Sequence, residues 1–191
     1  MIDNSNLIKP MFYFNENNHM YFLCQLVIRR KDHPSSKIED KVVRTYFMKS
    51  AEQLEKLMPE IKMLCDFYGA RAYINVSGKD YSTLRVRLLR KLITSLDENI
   101  DADPDRLLNS SSGEIKSRAP KWIIDIDNMD ILEDVKKLVE KEISEYDIIP
   151  TKQGCHIITR PIDLREIREK FPDIDIHKNS MGTLLYMPEI K

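Results

Sequence analysis

The sequence predicts a mixed α/β protein of the α+β kind. An N-terminal α/β module (residues 1–100) is fused through a linker (101–118) to a second module (119–191). Three observations carry this. Residues 119–191 alternate short apolar runs with capped, helix-period segments in the order β-α-β-β-α-β. The first hundred residues pair β-branched and aromatic runs with two amphipathic stripes. Between them, "DENIDADPDRLLNSSSGEIKSRAP" is polar, with serine- and proline-containing stretches, and reads as a boundary whose tip at Ser110–Gly113 is mobile. A chain of 191 residues is long enough for two small modules sharing one core.

In order along the chain, "MFYFNENNHMYFLCQLVIRRKD" reads as a hairpin turning at Asn15–Asn18, and "KVVRTYFMKS" as a third strand. Ser50 and Gln53 have capping-box spacing and open a helix. Its stripe is Leu54, Leu57, Met58, Ile61, Leu64 and Cys65; Pro59 lies inside it and Gly69 ends it. "ARAYINVS" is a strand, followed by a helix over residues 81–96 that carries Arg85, Arg87, Arg90 and Lys91. In the second module "KWIIDID" is a strand, and Asp130 with Glu133 caps a helix of stripe Leu132, Val135, Leu138, Val139 and Ile143. "YDIIPT" and "CHIITRP" are strands around a "KQG" turn, Asp163 with Glu166 opens a short helix, and "DIDIHK" and "TLLYM" are strands. This is the split β-α-β, ferredoxin- or RRM-like order, with the first and third strands adjacent at the sheet centre. It places both helices on one face and leaves the other open.

Composition excludes several classes. Hydrophobic residues are 42% and charged residues 32%, ordinary for a globular protein. Net charge is −1, so a nucleic-acid partner needs a local basic patch. No apolar run approaches the roughly 20 residues of a membrane helix, and "MIDNSNLIKP" lacks a basic-then-apolar leader pattern. The expected compartment is cytoplasmic, with no membrane partner. Cys24, Cys65 and Cys155 are scattered and form no C-x-x-C pair, which speaks against zinc and against a disulfide framework.

The chemistry concentrates in the second module. Strand side chains alternate faces, so Asp125 and Asp127 point the same way, while Gly154, His156, Ile158 and Arg160 share one face of a neighbouring strand. Paired carboxylates suit hard divalent cations, Mg²⁺ or Mn²⁺. His156 and Arg160 then face phosphates, and Gly154 leaves room for a nucleotide. A D-x-D at a strand end also fits a phosphatase or nuclease with an aspartate nucleophile. A single histidine such as His156 is commonly a satisfied, half-buried one.

These residues resemble the archaeo-eukaryotic primases and the related primase-polymerases. "WIIDID" is similar to that superfamily's apolar strand ending in two spaced acids, and "GCH" (Gly154–His156) to its small-x-His motif, in the same order and with a helix between. The resemblance covers 119–191; the N-terminal half is similar only in general plan. It implies a metal-dependent nucleotidyltransferase that uses nucleoside triphosphates and a DNA or RNA template, with a replication partner such as a helicase. It assigns Asp125, Asp127 and His156 to catalysis, and His156, Arg160 and Gly154 to the nucleotide. The superfamily's third acid has Asp175 as its candidate and Asp173 as a weaker one; Asn179 stands where an acid is also plausible. Arg71, Arg85, Arg87 and Arg90 are the candidate template contacts. Without a working third acid the same fold becomes a catalytically inactive nucleic-acid-binding protein.

Overall fold

The strand-period segments pair into two antiparallel sheets. The computed structural model describes residues 1–12, 19–34, 39–98, 103–117, 119–178 and 182–189. Its elements are β1 (Ile2–Asp3), α1 (Ser5–Ile8), β2 (Met20–Ile28), β3 (Lys41–Met48), α2 (Ala51–Tyr68), β4 (Arg71–Asn75), β5 (Lys79–Asp80), α3 (Tyr81–Asp97), α4 (Pro104–Gly113), β6 (Trp122–Ile126), α5 (Leu132–Glu142), β7 (Asp147–Pro150), β8 (Cys155–Thr159), α6 (Arg165–Lys170), β9 (Asp175–His177) and β10 (Gly182–Met187). One sheet runs β1-β10-β4-β2-β3, with β5 on β2; the other runs β7-β8-β6-β9. In the second, β6 and β8 are adjacent at the centre and α5 lies between β6 and β7 in the chain, the strand order that the sequence predicts.

Alternation along β2 explains how the first sheet is covered. Phe22, Cys24 and Leu26 join Ala72 and Ile74 against the α2 stripe of Leu54, Met58, Ile61 and Cys65. Tyr21 and Leu23, pointing the other way, pack with Leu84 and Ile115. Helix α2 starts where Ser50 Oγ accepts from the Gln53 amide at 3.0 Å, and it ends at Gly69 in the left-handed conformation (φ 60°).

The second sheet buries Ile124, Ile126, Cys155 and Ile157 under Val135, Leu138 and Val139 of α5 and Ile167 of α6. Its other face is not open, as the sequence reading had it. Ile123, Ile149 and Ile158 enter the same core as the first sheet and α2, so the two sheets share apolar contacts. Asn4 ties them further: its side-chain amide donates to the carbonyls of Pro150 and Leu184, both at 2.8 Å. The final strand, β10, leaves the second sheet altogether and pairs with β4 and β1 in the first.

Three other expectations change. In the first arm of the N-terminal hairpin, Met11 closes a 3₁₀ turn, Lys9–Met11, that holds Pro10; residues 13–18, with the proposed turn at 15–18, lie outside the described residues, and β2 pairs with β3. The presumed linker contains α4. Ser111 and Ser112 in it are buried; Tyr21 hydrogen-bonds Ser112 Oγ at 2.8 Å, and the buried Lys79 ammonium donates to the Ser112 carbonyl at 2.7 Å. A serine-rich run that supplies buried acceptors packs as a helix. Finally, Asn128 rather than Asp130 caps the entry to α5. Its Oδ1 accepts from the Asp130 amide at 3.0 Å and opens the 3₁₀ turn Met129–Ile131 ahead of the helix. Among the described residues no helix is long and apolar enough to cross a membrane.

Candidate functional site

Register brings the site together. Asp125 on β6 stands directly opposite His156 on β8 and Asp175 on β9. Directly opposite residues of antiparallel strands share a face, so His156, Asp125 and Asp175 form a row across three strands. The acid and histidine motifs and the Asp175 candidate, drawn from separate segments, thus become neighbours. Asp127 lies just past the end of β6, exposed, and lines the same cavity of about 410 Å³ as the other three.

His156 is buried and holds the row to the first sheet. Its Nδ1 is 2.9 Å from Thr183 Oγ1 on β10, and its Nε2 is 3.4 Å from Asp125 Oδ1. Both ring nitrogens are therefore engaged by protein atoms. The carboxyl of Asp125 is held below its ordinary value. The His156 hydrogen bond is the main cause, acting against burial, and the charges of His156, His177 and Lys31 help. Two adjacent acids lead one to expect a raised carboxyl; here burial is what acts upward, and the imidazoles and the lysine outweigh it.

The opposite wall is basic and comes from the first sheet. Arg29, Lys31 and Arg71 line the cavity beside Gln25 and Tyr73, and Lys152 joins them from the β7–β8 turn. Arg71 is buried and forms a bidentate ion pair with Asp32, with Nε to Oδ2 at 2.6 Å. Burial pushes the Asp32 carboxyl up, but hydrogen bonds from Arg71 and Lys152 outweigh it and keep the group below the usual range.

Several residues assigned from sequence stand elsewhere. Arg160 lies past the far end of β8, exposed, and does not line the cavity, because the strand carries it away from His156. Gly154 does not make room for a nucleotide: a Cβ there would sit 1.8 Å from the Ile126 carbonyl oxygen, so glycine is needed for the close approach of two backbones. Arg71 is committed to Asp32. Arg87 pairs with Glu114 at 2.8 Å, and Arg85, Arg87 and Arg90 on α3 lie outside the cavity. Asp173 lines a neighbouring cavity of about 430 Å³ that opens beside Phe171 and Pro172 and shares Asp125, Asp127 and Asp175 with the first. Asn179 falls outside the described residues.

Sequence reasoning missed Lys31, Lys152 and His177. Lys31 had a signal in the basic "RRKD" that closes β2, and Lys152 sits two residues before the glycine of the histidine motif. His177 is the cross-strand partner of Ile123, which only the register reveals.

The donor set of Asp125, Asp127 and Asp175 is all hard oxygen, the chemistry of Mg²⁺ and Mn²⁺. Yet among the described residues no three His, Cys, Asp or Glu side chains stand close enough together to hold an ion as they are. Asp127 and Asp175 are exposed, so burial fixes neither carboxylate in its present rotamer. Fold and site together define an α+β protein with an acid-and-histidine cleft between two antiparallel sheets. No family model, curated protein or solved structure matches the chain.

Proposed function

We propose that the cleft is the active site of a metal-dependent nucleotidyltransferase resembling a minimal primase-polymerase, acting on nucleoside triphosphates with a DNA or RNA template. The observation that carries this reading is the row His156–Asp125–Asp175, with Asp127 beside it, facing a wall of lysine and arginine across one cavity. Acids on one side and cations on the other suit a substrate that brings both metal ions and a polyphosphate. Asp125, Asp127 and Asp175 are the residues that would hold Mg²⁺ or Mn²⁺. Bound there, the ions would supply Lewis acidity to an attacking hydroxyl and to a leaving pyrophosphate. His156, fixed by Thr183 through Nδ1 and facing Asp125 through Nε2, keeps Asp125 ionised and aimed into the cleft; it reaches a phosphate only by giving up the Asp125 contact. Lys31 and Lys152 take the phosphate-binding part that sequence gave to Arg160.

A second reading, a nucleic-acid-binding protein without catalysis, draws on the three acids not converging as they stand. Primer extension or oligonucleotide synthesis with Mn²⁺ separates the two. Nucleotidyl transfer predicts product that Asp125→Ala lowers by several kcal/mol of barrier, on the order of a thousandfold or more, with template affinity kept. No product at any metal concentration, with salt-sensitive binding unchanged by Asp125→Ala, supports the second reading. Phosphate release from simple monoesters points to a phosphatase instead.

A further inference from the structure

Asp32 carries two cations that are not equivalent. Its side chain is fully buried (0% exposed) at the end of the 3₁₀ turn Arg30–Asp32. Arg71 grips both carboxylate oxygens from inside. Lys152 reaches Oδ1 from the other sheet's β7–β8 turn at 3.1 Å, and its side chain is 48% exposed. One bidentate arginine already neutralises the carboxylate, so the Lys152 charge is in excess. Lys31, next to Asp32 in the chain, is exposed and lines the same cavity. The turn bearing Lys152 is itself fixed. Thr151 Oγ1 accepts from the Gly154 amide at 3.1 Å, the Thr151 amide donates to the Gly154 carbonyl at 2.8 Å, and the backbone at Gly154 is pressed against Ile126. Lys152 can therefore change partner by side-chain rotation, without the turn moving.

We propose that Lys152 is an exchangeable clamp: it is parked on Asp32 and transfers to a phosphate oxygen of a polyphosphate in the cleft, beside Lys31. This rests on reading the cleft as a nucleoside triphosphate site. Asp32 competes with the ligand for Lys152, while Arg71 stays on Asp32 and keeps the wall intact. Weak anions that cannot outcompete a carboxylate are thereby refused, and multiply charged chains are accepted.

The test is calorimetric binding of tripolyphosphate, pyrophosphate and sulfate to the full chain. Lys152→Met is expected to weaken tripolyphosphate binding about tenfold or more, the scale of one charge-assisted hydrogen bond, and Lys152→Arg to restore most of it. Asp32→Asn removes the competitor and is expected to tighten binding; weaker binding would mean that Asp32 merely positions Lys152, and would overturn the exchange. Should Asp32→Asn fail to fold, the Lys152 pair decides alone. An unchanged affinity in Lys152→Met, or equal affinities for sulfate and tripolyphosphate, overturns the clamp. Product from the wild type in the Mn²⁺ assay would then leave nucleotidyl transfer standing. Clamp-dependent tripolyphosphate binding by a protein that makes no product has the opposite meaning.

Discussion

The two walls of the cleft differ in how they are built as well as in charge. The acidic wall is one sheet: Asp125 and its cross-strand neighbours sit on β6, β8 and β9, and strand alternation alone points them inward. The basic wall is assembled from the end of β2, from β4 and from a turn of the other sheet, and a buried ion pair holds it together. One wall depends on register, the other on desolvated charge. Each should fail in its own way.

The largest effect is expected on the basic wall. Asp32→Ala leaves the buried Arg71 charge without its carboxylate and should cost about 3–5 kcal/mol, read as a lower urea midpoint at unchanged slope; Arg71→Ala should cost less, because Lys152 still pairs with Asp32. Asp125→Ala, on the acidic wall, should cost far less; equal losses would break the distinction.

Next comes the response to metal. Mn²⁺ at a hundred times its dissociation constant should stabilise the wild type by about 2.7 kcal/mol, seen as a higher melting temperature. The Asp125→Asn, Asp127→Asn double variant should barely shift, and an equal shift in both proteins would remove the ion from this wall.

A smaller effect follows from protons. The Asp125 carboxyl is depressed in the folded protein, chiefly by His156. Its stabilising contribution is present above the unfolded value of about 3.9 and is lost as pH falls through the lower folded value. The stability gap between wild type and Asp125→Asn should hold steady above about pH 5 and close in stronger acid. A gap that widens in acid would contradict the His156 pairing.

The smallest effect is expected on α3. Arg85→Ala with Arg90→Ala should change stability by less than about 0.5 kcal/mol. Neither residue lines the cleft, and the exposed Val86, Leu89 and Ile93 beside them do not suit a phosphate backbone. The salt slope of template binding should stay put; a fall of about 0.9 per arginine would return α3 to the interface.

What was legible follows the same division. Strand period and apolar stripes revealed β6, α5, β8 and α6 and the face of β6 opposite α5 that carries Asp125, because those signals are local; their caps did not hold, Asn128 standing in for Asp130 and Leu164, without a side-chain cap bond, for Asp163. Asp175 could be named from sequence as a candidate, but its place opposite Asp125 is a matter of register, which no single strand carries. Lys31 and Lys152 were hidden because charges in loops look alike until the fold decides which of them meet. Arg160 and Gly154 misled for a related reason: alternation gives a side chain its face but not its position along the cleft, and a glycine can serve a neighbour's backbone as readily as a ligand. The α4 segment was misread because serine-rich composition resembles a linker until Tyr21 and Lys79 are seen to need its acceptors.

The placement of β10 has a consequence for how the chain comes to be folded. The first sheet needs β10 between β1 and β4, and the whole of the second sheet lies between β4 and β10 in sequence. During synthesis the first module emerges early yet must wait, with one edge of β4 bare, until the second has been made and the last strand returns. Such late, long-range closure slows folding and leaves an edge open to wrong partners. A truncation before Gly182 should therefore aggregate rather than yield a free N-terminal domain. A circularly permuted chain that places the β10 sequence ahead of β1 should close the first sheet sooner and refold faster, with the same cleft.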